Sequence, residues 1–283
     1  MITALDAAIY DLVARAFQED VRSGDHTTNA CIPADKEGEA YVVFKQKAFY
    51  AGAHLMEKCL KAFDSNINVK HECKDEKWVD NGTVVLRING PLSSILMAER
   101  TALNLLQRVC GVATITAKMR SDIKHTKAKL LDTRKTSPGL RIFEKYGVRA
   151  GGGLNHRYGL FDMILIKDNH IDGSGSVTKA IYNAFEYVKE KKLQIPIMVE
   201  VRNFEELEQA LQIDGLHRIM LDNFSLEDIK RAIDQIDGKV PVEISGGVNP
   251  QNVKAYAETG AAYLSAGCLT HSVENVDISL KIK

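Results

Sequence analysis

Between Lys127 and Leu264 the chain repeats one rhythm: a short β-branched or aliphatic run, a polar break, then an amphipathic stretch. The runs are Lys129–Leu131, Met163–Ile166, Ile197–Val199, Arg218–Leu221, Val240–Ile244 and Ala262–Leu264. Apolar residues at helical spacing fill gaps over 205–211, 226–236 and 251–258. Strands alternating with helices build right-handed βαβ units on a parallel sheet. Six such runs in so short a stretch favour a compact barrel or near-barrel over an open sheet.

The residues before this rhythm read as mixed α and β. Leu5, Ile9, Leu12, Val13 and Phe17 share one helical face, so a helix is expected over 4–19, followed by a polar break at Ser23–Thr28. Strands are expected over 40–45, 68–72 and 83–89, with a turn at Asn81-Gly82 and a helix near 53–64. Residues 93–124 are strongly helical, and Gly111 reads as an interruption. The domain boundary falls in that stretch: residues 1–112 are expected to form a mixed α and β domain and 113–271 a barrel or near-barrel. Val276 to Ile282 alternates with period two, so the tail 272–283 is expected to return to the first domain as a final strand.

Composition excludes several classes. A length of 283 residues suits two domains or one barrel, and 45% hydrophobic residues exclude disorder. Lys plus Arg equals Asp plus Glu at 37 each, which argues against a polybasic nucleic-acid or membrane binder. No apolar run is long enough to span a bilayer, and the start Met1–Asp6 lacks the basic and apolar regions of a signal peptide. Five scattered cysteines without a C-x-x-C pair point to reduced thiols in a cytoplasmic protein.

Polar groups follow the apolar runs: Asp132, Lys167, Glu200, Asp222, Ser245 and the segment Ser265-Ala266-Gly267. In a parallel barrel these strand ends converge on one cavity, although Asp, Ser and Gly also follow strands simply as turn formers or helix caps. Between Arg100 and His170 there are 14 Lys/Arg against five Asp/Glu, partly the solvated helix face of Lys118, Arg120, Lys124 and Lys127. Arg134-Lys135 differs, because it follows a strand end and precedes Thr136-Ser137-Pro138-Gly139. With Pro138 at a first helical position, free backbone N–H groups there would form an anion site. Gly151-Gly152-Gly153 permits close backbone approach, and Gly246-Gly247 and Gly267 mark turns that can grip phosphate. A cationic rim with phosphate-gripping turns and two separated carboxylates predicts a phosphorylated, polyanionic substrate with Mg²⁺. No G-x-S-x-G, P-loop, dinucleotide fingerprint or paired-histidine zinc motif is present.

Eight motifs then occur in order: Glu99–Asn104, Asp132–Gly139, Gly151–Arg157, Leu165–His170, Val199–Val201, Leu221–Phe224, Ser245–Gly247 and Ser265–Gly267, with Gly24–Thr28 before them. In these the chain resembles quinolinate phosphoribosyltransferase, the carboxylating nicotinate-nucleotide pyrophosphorylase family. The resemblance implies an N-terminal α/β sandwich and an incomplete parallel α/β barrel. It also implies a reaction: quinolinate and phosphoribosyl pyrophosphate give nicotinate mononucleotide, pyrophosphate and CO₂, for NAD synthesis. A homodimer or larger homo-oligomer is implied, each barrel completed by its neighbour. By motif, Arg100 is the arginine lent by the partner, and Arg134, His156 and Arg157 grip the quinolinate carboxylates beside Thr133. Lys135 and Lys167 lie between the two substrates, Glu200 and Asp222 hold the ribose hydroxyls and Mg²⁺, and Ser245, Gly246, Gly247, Ala266, Gly267 and Cys268 carry the 5′-phosphate. Leu154 stands where the family often has Lys, and Arg149 where Cys is common. The competing readings are a pyrophosphorylase for another aromatic acid and a non-catalytic barrel that senses a nucleotide.

Overall fold

A computed structural model describes residues 4–283; Met1 to Thr3, the start of the segment read for a leader, lie outside the described residues. The chain divides into two compact units, the first comprising residues through Ala117, Ser137–Gly152 and Val273–Lys283, the second Lys118–Thr136 and Gly153–Ser272. The division differs from a single boundary at 112, because residues 137–152 interrupt the second stretch and fold with the first unit.

In the first unit the order is α1 (Ala4–Asp20), α2 (His26–Cys31), β1 (Glu37–Phe44), β2 (Ala48–Tyr50), α3 (Ala53–Phe63), β3 (Asn68–His71), β4 (Lys77–Val79), β5 (Val84–Pro91) and α4 (Leu92–Asp122). Ile9, Val13 and Phe17 recur every four residues and form the buried face of α1, where Phe17 packs on Phe63 at 4.8 Å between ring centres. Each fully buried apolar side chain of this size stabilises the fold by about 1.5–3 kcal/mol. Asp25 caps α2 by accepting from Thr28 N at 3.0 Å, so the early Gly-Asp-His-Thr-Thr is a helix start.

Helix α4 runs without a break through Gly111. That glycine serves packing: a Cβ there would lie 2.4 Å from Glu274 O, on the C-terminal tail. Beyond the tail's approach, the last strand lies antiparallel to β1, with Ile282 opposite Ala40. The antiparallel sheet places β1 between that last strand and β5, with β3 beyond β5, while β2 and β4 form a separate ribbon.

The rest of the chain runs β6 (Lys129–Leu131), α5 (Arg141–Ala150), β7 (Ile164–Ile166), α6 (Asp168–Ser174), α7 (Val177–Glu190), β8 (Ile197–Val201), α8 (Phe204–Leu211), β9 (Arg218–Asp222), α9 (Leu226–Ile236), β10 (Val242–Ser245), α10 (Val253–Ala257), β11 (Tyr263–Ser265), α11 (Cys268–His271) and β12 (Ile278–Ile282). Helix α5 belongs to the first unit and lies close on α4: Cβ atoms at Gly147 and Gly151 would stand 2.9 Å from Val109 O and 2.6 Å from Ala113 O. Of the glycine run, Gly151 therefore serves helix packing, and Gly152 supplies a left-handed turn at φ +84°.

The second unit is an incomplete parallel α/β barrel with strand order β6-β11-β10-β9-β8-β7. Beyond the outer edge of β6, Leu131 makes one further parallel bridge to Leu154, with Leu154 N donating to Leu130 O at 2.9 Å. The register assigns the two faces. Ile164, Ile166, Ile197, Val199, Ile219, Leu221, Val242 and Ile244 share the aliphatic face. The other face carries Leu165, Met198 and Met220 together with Arg218, Glu200, Asp222, Glu243 and Ser265. Period-two alternation thus gathers charge on one face of strands that are buried on both. No helix among the described residues is long and apolar enough to cross a membrane.

Candidate active site

At the C-terminal ends of these strands the second unit holds a cavity of about 680 Å³. Lys167, Glu200, Asp222, Ser245 and Ser265 enter it from the ends of β7 to β11, on the face that carries Leu165 and Met220. Thr133, Arg134 and Lys135 reach it from the loop after β6, and His156 and Arg157 from the loop before β7. Gly246, Gly247, Gly267 and Cys268 complete the expected set. Two expected residues lie elsewhere. Arg100 is exposed on α4 in the first unit, and Ala266 is buried, its N–H donating to Leu131 O at 3.0 Å.

Lys167 forms the N-cap of α6, and its Nζ donates to Glu200 Oε2 at 2.5 Å. His170 fixes this lysine's main chain, because its Nδ1 accepts from Lys167 N at 2.9 Å. Glu200 is 4% exposed. Burial raises its carboxyl above the ordinary range; Lys167 opposes that shift, and the charges of Asp222 and Asp168 add to it.

Asp222 is held from the residue after it. Asn223 Nδ2 donates to Asp222 Oδ2 at 2.7 Å, with Asn223 in the left-handed region at φ +57°. Asn223 N donates to Ser245 O at 3.0 Å, which ties the end of β9 to the glycine turn. Gly246 must lack a side chain, since a Cβ would fall 2.2 Å from Asn223 Oδ1. Gly247 instead faces open space, and its carbonyl accepts from Asn249 Nδ2 and Asn252 Nδ2, both at 2.9 Å.

A second turn at 266–268 abuts the first, because Cys268 Sγ donates to Val248 O at 3.4 Å and burial raises the thiol's pKa. Gly267 lies under the side chains of His271 and Lys135, which a Cβ would approach to 2.9 and 3.1 Å. Lys135 is anchored at both ends of its peptide: its N–H donates to Thr133 Oγ1 at 3.0 Å and its carbonyl accepts from Thr270 Oγ1 at 2.7 Å.

Arg157 is half-buried in the opposite wall, and both burial and the nearby Arg134 charge press its pKa downward. Its Nη1 donates to Met163 O at 3.4 Å. Two guanidinium groups lining one cavity suit an anionic ligand, and planar forks suit carboxylates best.

The turn at 136–139 departs from expectation. Ser137 N already donates to Glu144 Oε2 at 3.1 Å, and Glu144 is buried against Arg108 at 2.7 Å. Helix α5 begins at Arg141, so Pro138 is in the turn before it and not at its first position. His156 lines the cavity; its Nδ1 accepts from Arg157 N at 2.7 Å, and its Nε2 lies 3.2 Å from Glu243 Oε1. Sequence reasoning missed Asp168, Asn223 and His271 as cavity residues. Asp168 and Asn223 directly follow Lys167 and Asp222, on the opposite parity of the alternation, and His271 follows Gly267 by one helical turn; adjacency to expected residues was their available signal.

An incomplete α/β barrel with cations, separated acids and glycine turns at its strand ends has the layout of barrel enzymes that handle phosphorylated substrates. The sequence profile of quinolinate phosphoribosyl transferase matches its N-terminal domain to residues 25–110 and its C-terminal domain to 112–281. Quinolinate phosphoribosyltransferase (decarboxylating) 1b of Nicotiana tabacum is 40% identical, over 96% of this chain and 83% of its own length. A probable nicotinate-nucleotide pyrophosphorylase (carboxylating) of Bacillus subtilis is 37% identical over 96% and 92%. The solved nicotinate-nucleotide pyrophosphorylase of Francisella tularensis superposes with a TM-score of 0.91 at 37% identity, covering 98% of this chain and 96% of that one. The chain belongs to the quinolinate phosphoribosyltransferase family.

Proposed function

We propose that this chain transfers the phosphoribosyl group of phosphoribosyl pyrophosphate to quinolinate, yielding nicotinate mononucleotide, pyrophosphate and CO₂ for NAD synthesis. The observation that carries this reading is the gathering, in one cavity, of Arg134 and Arg157 with the Lys167–Glu200 ion pair and the Asp222–Asn223–Gly246 contact.

Arg134 and Arg157 receive the quinolinate carboxylates, where two guanidinium forks match two planar anions. The pyridine nitrogen forms a bond to ribose C1 as the bond from C1 to the pyrophosphate oxygen breaks. Positive charge then develops on the ribose, and Glu200 and Asp222 face it from neighbouring strands, where fixed carboxylates stabilise it. Lys135 and Lys167 offset the charge that passes to pyrophosphate. The ribosylated ring is a cation, so the C–C bond to the adjacent carboxylate breaks with its electron pair held by the ring, and a proton then takes that position. The turns at 245–247 and 267–268 hold the 5′-phosphate.

Mg²⁺ fits the acids present. Among the described residues no three His, Cys, Asp or Glu side chains gather as a metal cage. Glu200 and Asp222 offer two oxygen donors, the usual protein share for a cation that keeps waters and takes substrate oxygens. When bound, Mg²⁺ would neutralise charge on the leaving pyrophosphate. The site also takes Arg100 from a second copy of the chain, in a homodimer or larger homo-oligomer. The five free thiols suit the reducing cytoplasm.

The test is product formation by the purified chain with quinolinate, phosphoribosyl pyrophosphate and Mg²⁺, followed by chromatography of nicotinate mononucleotide. Product that requires every component supports the assignment. Binding of quinolinate without product refutes it.

A further inference from the structure

The glycine turn at 245–247 has to present N–H groups to a phosphate, yet its own backbone does little to keep them there. Gly246 and Gly247 both sit in the left-handed region, at φ +94° and +65°, and a Cβ on Gly247 would meet nothing within 4 Å. A glycine peptide with open space beside it turns over at little cost. In one orientation such a peptide offers its N–H to an anion; turned over, it offers a carbonyl oxygen, which repels one.

Contacts with the rest of the second unit fix the orientation carbonyl by carbonyl. Ser245 O accepts from Asn223 N at 3.0 Å, and Val248 O accepts from Cys268 Sγ at 3.4 Å. Gly247 O, between them, accepts from two side chains, Asn249 Nδ2 and Asn252 Nδ2. The peptide bonds are trans, so each C=O points opposite to the N–H of the residue that follows it. The N–H groups of Gly246 and Val248 therefore point away from these anchors. Both residues line the cavity, and among the described residues neither N–H donates to another backbone group.

The two asparagines are themselves fixed. Asn249 Oδ1 accepts from Gln251 N at 2.9 Å and from Asn252 N at 3.2 Å, and Asn252 Oδ1 accepts from Asn249 N at 2.8 Å. In each side chain the oxygen meets N–H groups and the nitrogen meets a carbonyl, so only one orientation of the amide satisfies both ends.

We infer that Asn249 and Asn252 are positioning residues: they hold the Gly247 carbonyl back and so keep the Val248 N–H turned toward a phosphate. The inference rests on the reading of the 245–247 turn as the holder of the 5′-phosphate. Neither asparagine lines the cavity, so both act through the peptide that joins Gly247 to Val248.

Replacement by aspartate removes the donor alone. In Asn249→Asp and Asn252→Asp one oxygen still accepts from the same N–H groups, while the other repels Gly247 O. Each variant should weaken binding of ribose 5-phosphate about tenfold, the scale of one lost hydrogen bond. The dissociation constant for quinolinate should stay within about twofold. Gln251→Glu is the control for charge, since it places a carboxylate on an exposed residue between the two asparagines; it should shift either constant by no more than about twofold. In the wild type the backbone N–H resonances of Gly246 and Val248 should move when ribose 5-phosphate is added, a result that needs no variant to fold. Losses in the Asp variants no larger than in Gln251→Glu, equal losses for ribose 5-phosphate and quinolinate, or an unmoved Val248 resonance would overturn the assignment. Wild-type turnover of quinolinate is measured alongside. Its absence beside intact ribose 5-phosphate binding sinks the activity reading alone, whereas failure to bind ribose 5-phosphate sinks the role of the asparagines as well.

Discussion

Replacing Gly246 by alanine strikes the contact that joins Asp222, through Asn223, to the glycine turn at 245–247. The backbone there sits at φ +94°, and an L-residue in the left-handed region costs about 1–2 kcal/mol. The new Cβ would stand 2.2 Å from Asn223 Oδ1 and 2.9 Å from Asn223 N. Asn223 cannot clear that atom without surrendering its 2.7 Å hydrogen bond to Asp222, and a bond to a charged group is worth about 1.5–3 kcal/mol. Together the two effects reach about 2.5–5 kcal/mol, on the order of 10²- to 10⁴-fold in kcat/KM at 1.36 kcal/mol per decade. Gly247→Ala is the internal control, since its φ is +65° but a Cβ there meets nothing within 4 Å. It bears only the backbone cost of about 1–2 kcal/mol, roughly 5- to 30-fold. The assay is steady-state kcat/KM toward phosphoribosyl pyrophosphate at saturating quinolinate, with melting temperatures to separate unfolding from binding. Equal losses in the two variants would refute the argument that Asn223 links Asp222 to the turn.

Other consequences follow from the same geometry. Burial raises the Glu200 carboxyl and Lys167 opposes the shift, so the acid limb of kcat/KM should lie above the ordinary carboxylate range. In Lys167→Met it should move to still higher pH, and in Asp222→Asn to lower pH; a limb that moves in neither variant would remove Glu200 from the reaction. Gly111→Ala should cost about 1–3 kcal/mol by overpacking against Glu274 O and lower the melting temperature by several degrees; an unchanged melting curve would show that the tail does not press on α4. Chelation of divalent ions should abolish turnover and Mg²⁺ restore it, with residual activity in excess chelator as the contrary result. Equal mixtures of Arg100→Ala and Lys135→Ala chains, each inactive alone, should recover about a quarter of wild-type activity once subunits exchange, because one site in four is then intact. No recovery would deny that sites are shared.

Where local chemistry decides the structure, the sequence was enough. Helix α9 spans the expected 226–236 because Ser225 caps it and its apolar residues keep one face. The six strands of the barrel fall within the six apolar runs or within two residues of them, since each is short, apolar and bounded by turn residues. Lys167, Glu200 and Asp222 were legible as strand-end residues on one alternating face. Distance in sequence hid the rest. Gly111 looks like a helix breaker, yet a lone glycine costs a helix only about 1 kcal/mol, and a carbonyl at Glu274 decides its purpose. Strands β2 and β4 have three residues each and pair with one another across an intervening helix and strand, too little for periodicity to register. The anion site expected at Ser137 was already filled by Glu144. Residue type alone does not reveal which side chain has its polar atoms satisfied internally.

The most direct measurement is the stoichiometry of a single reaction: pyrophosphate, CO₂ released from the ring-adjacent carboxylate and nicotinate mononucleotide, quantified together with wild type and with Lys135→Ala. Equal amounts of all three from the wild type, and none from a variant that still binds quinolinate, is the predicted result. CO₂ without pyrophosphate, or undiminished product from the variant, would contradict the placement of quinolinate phosphoribosyl transfer at the mouth of this barrel.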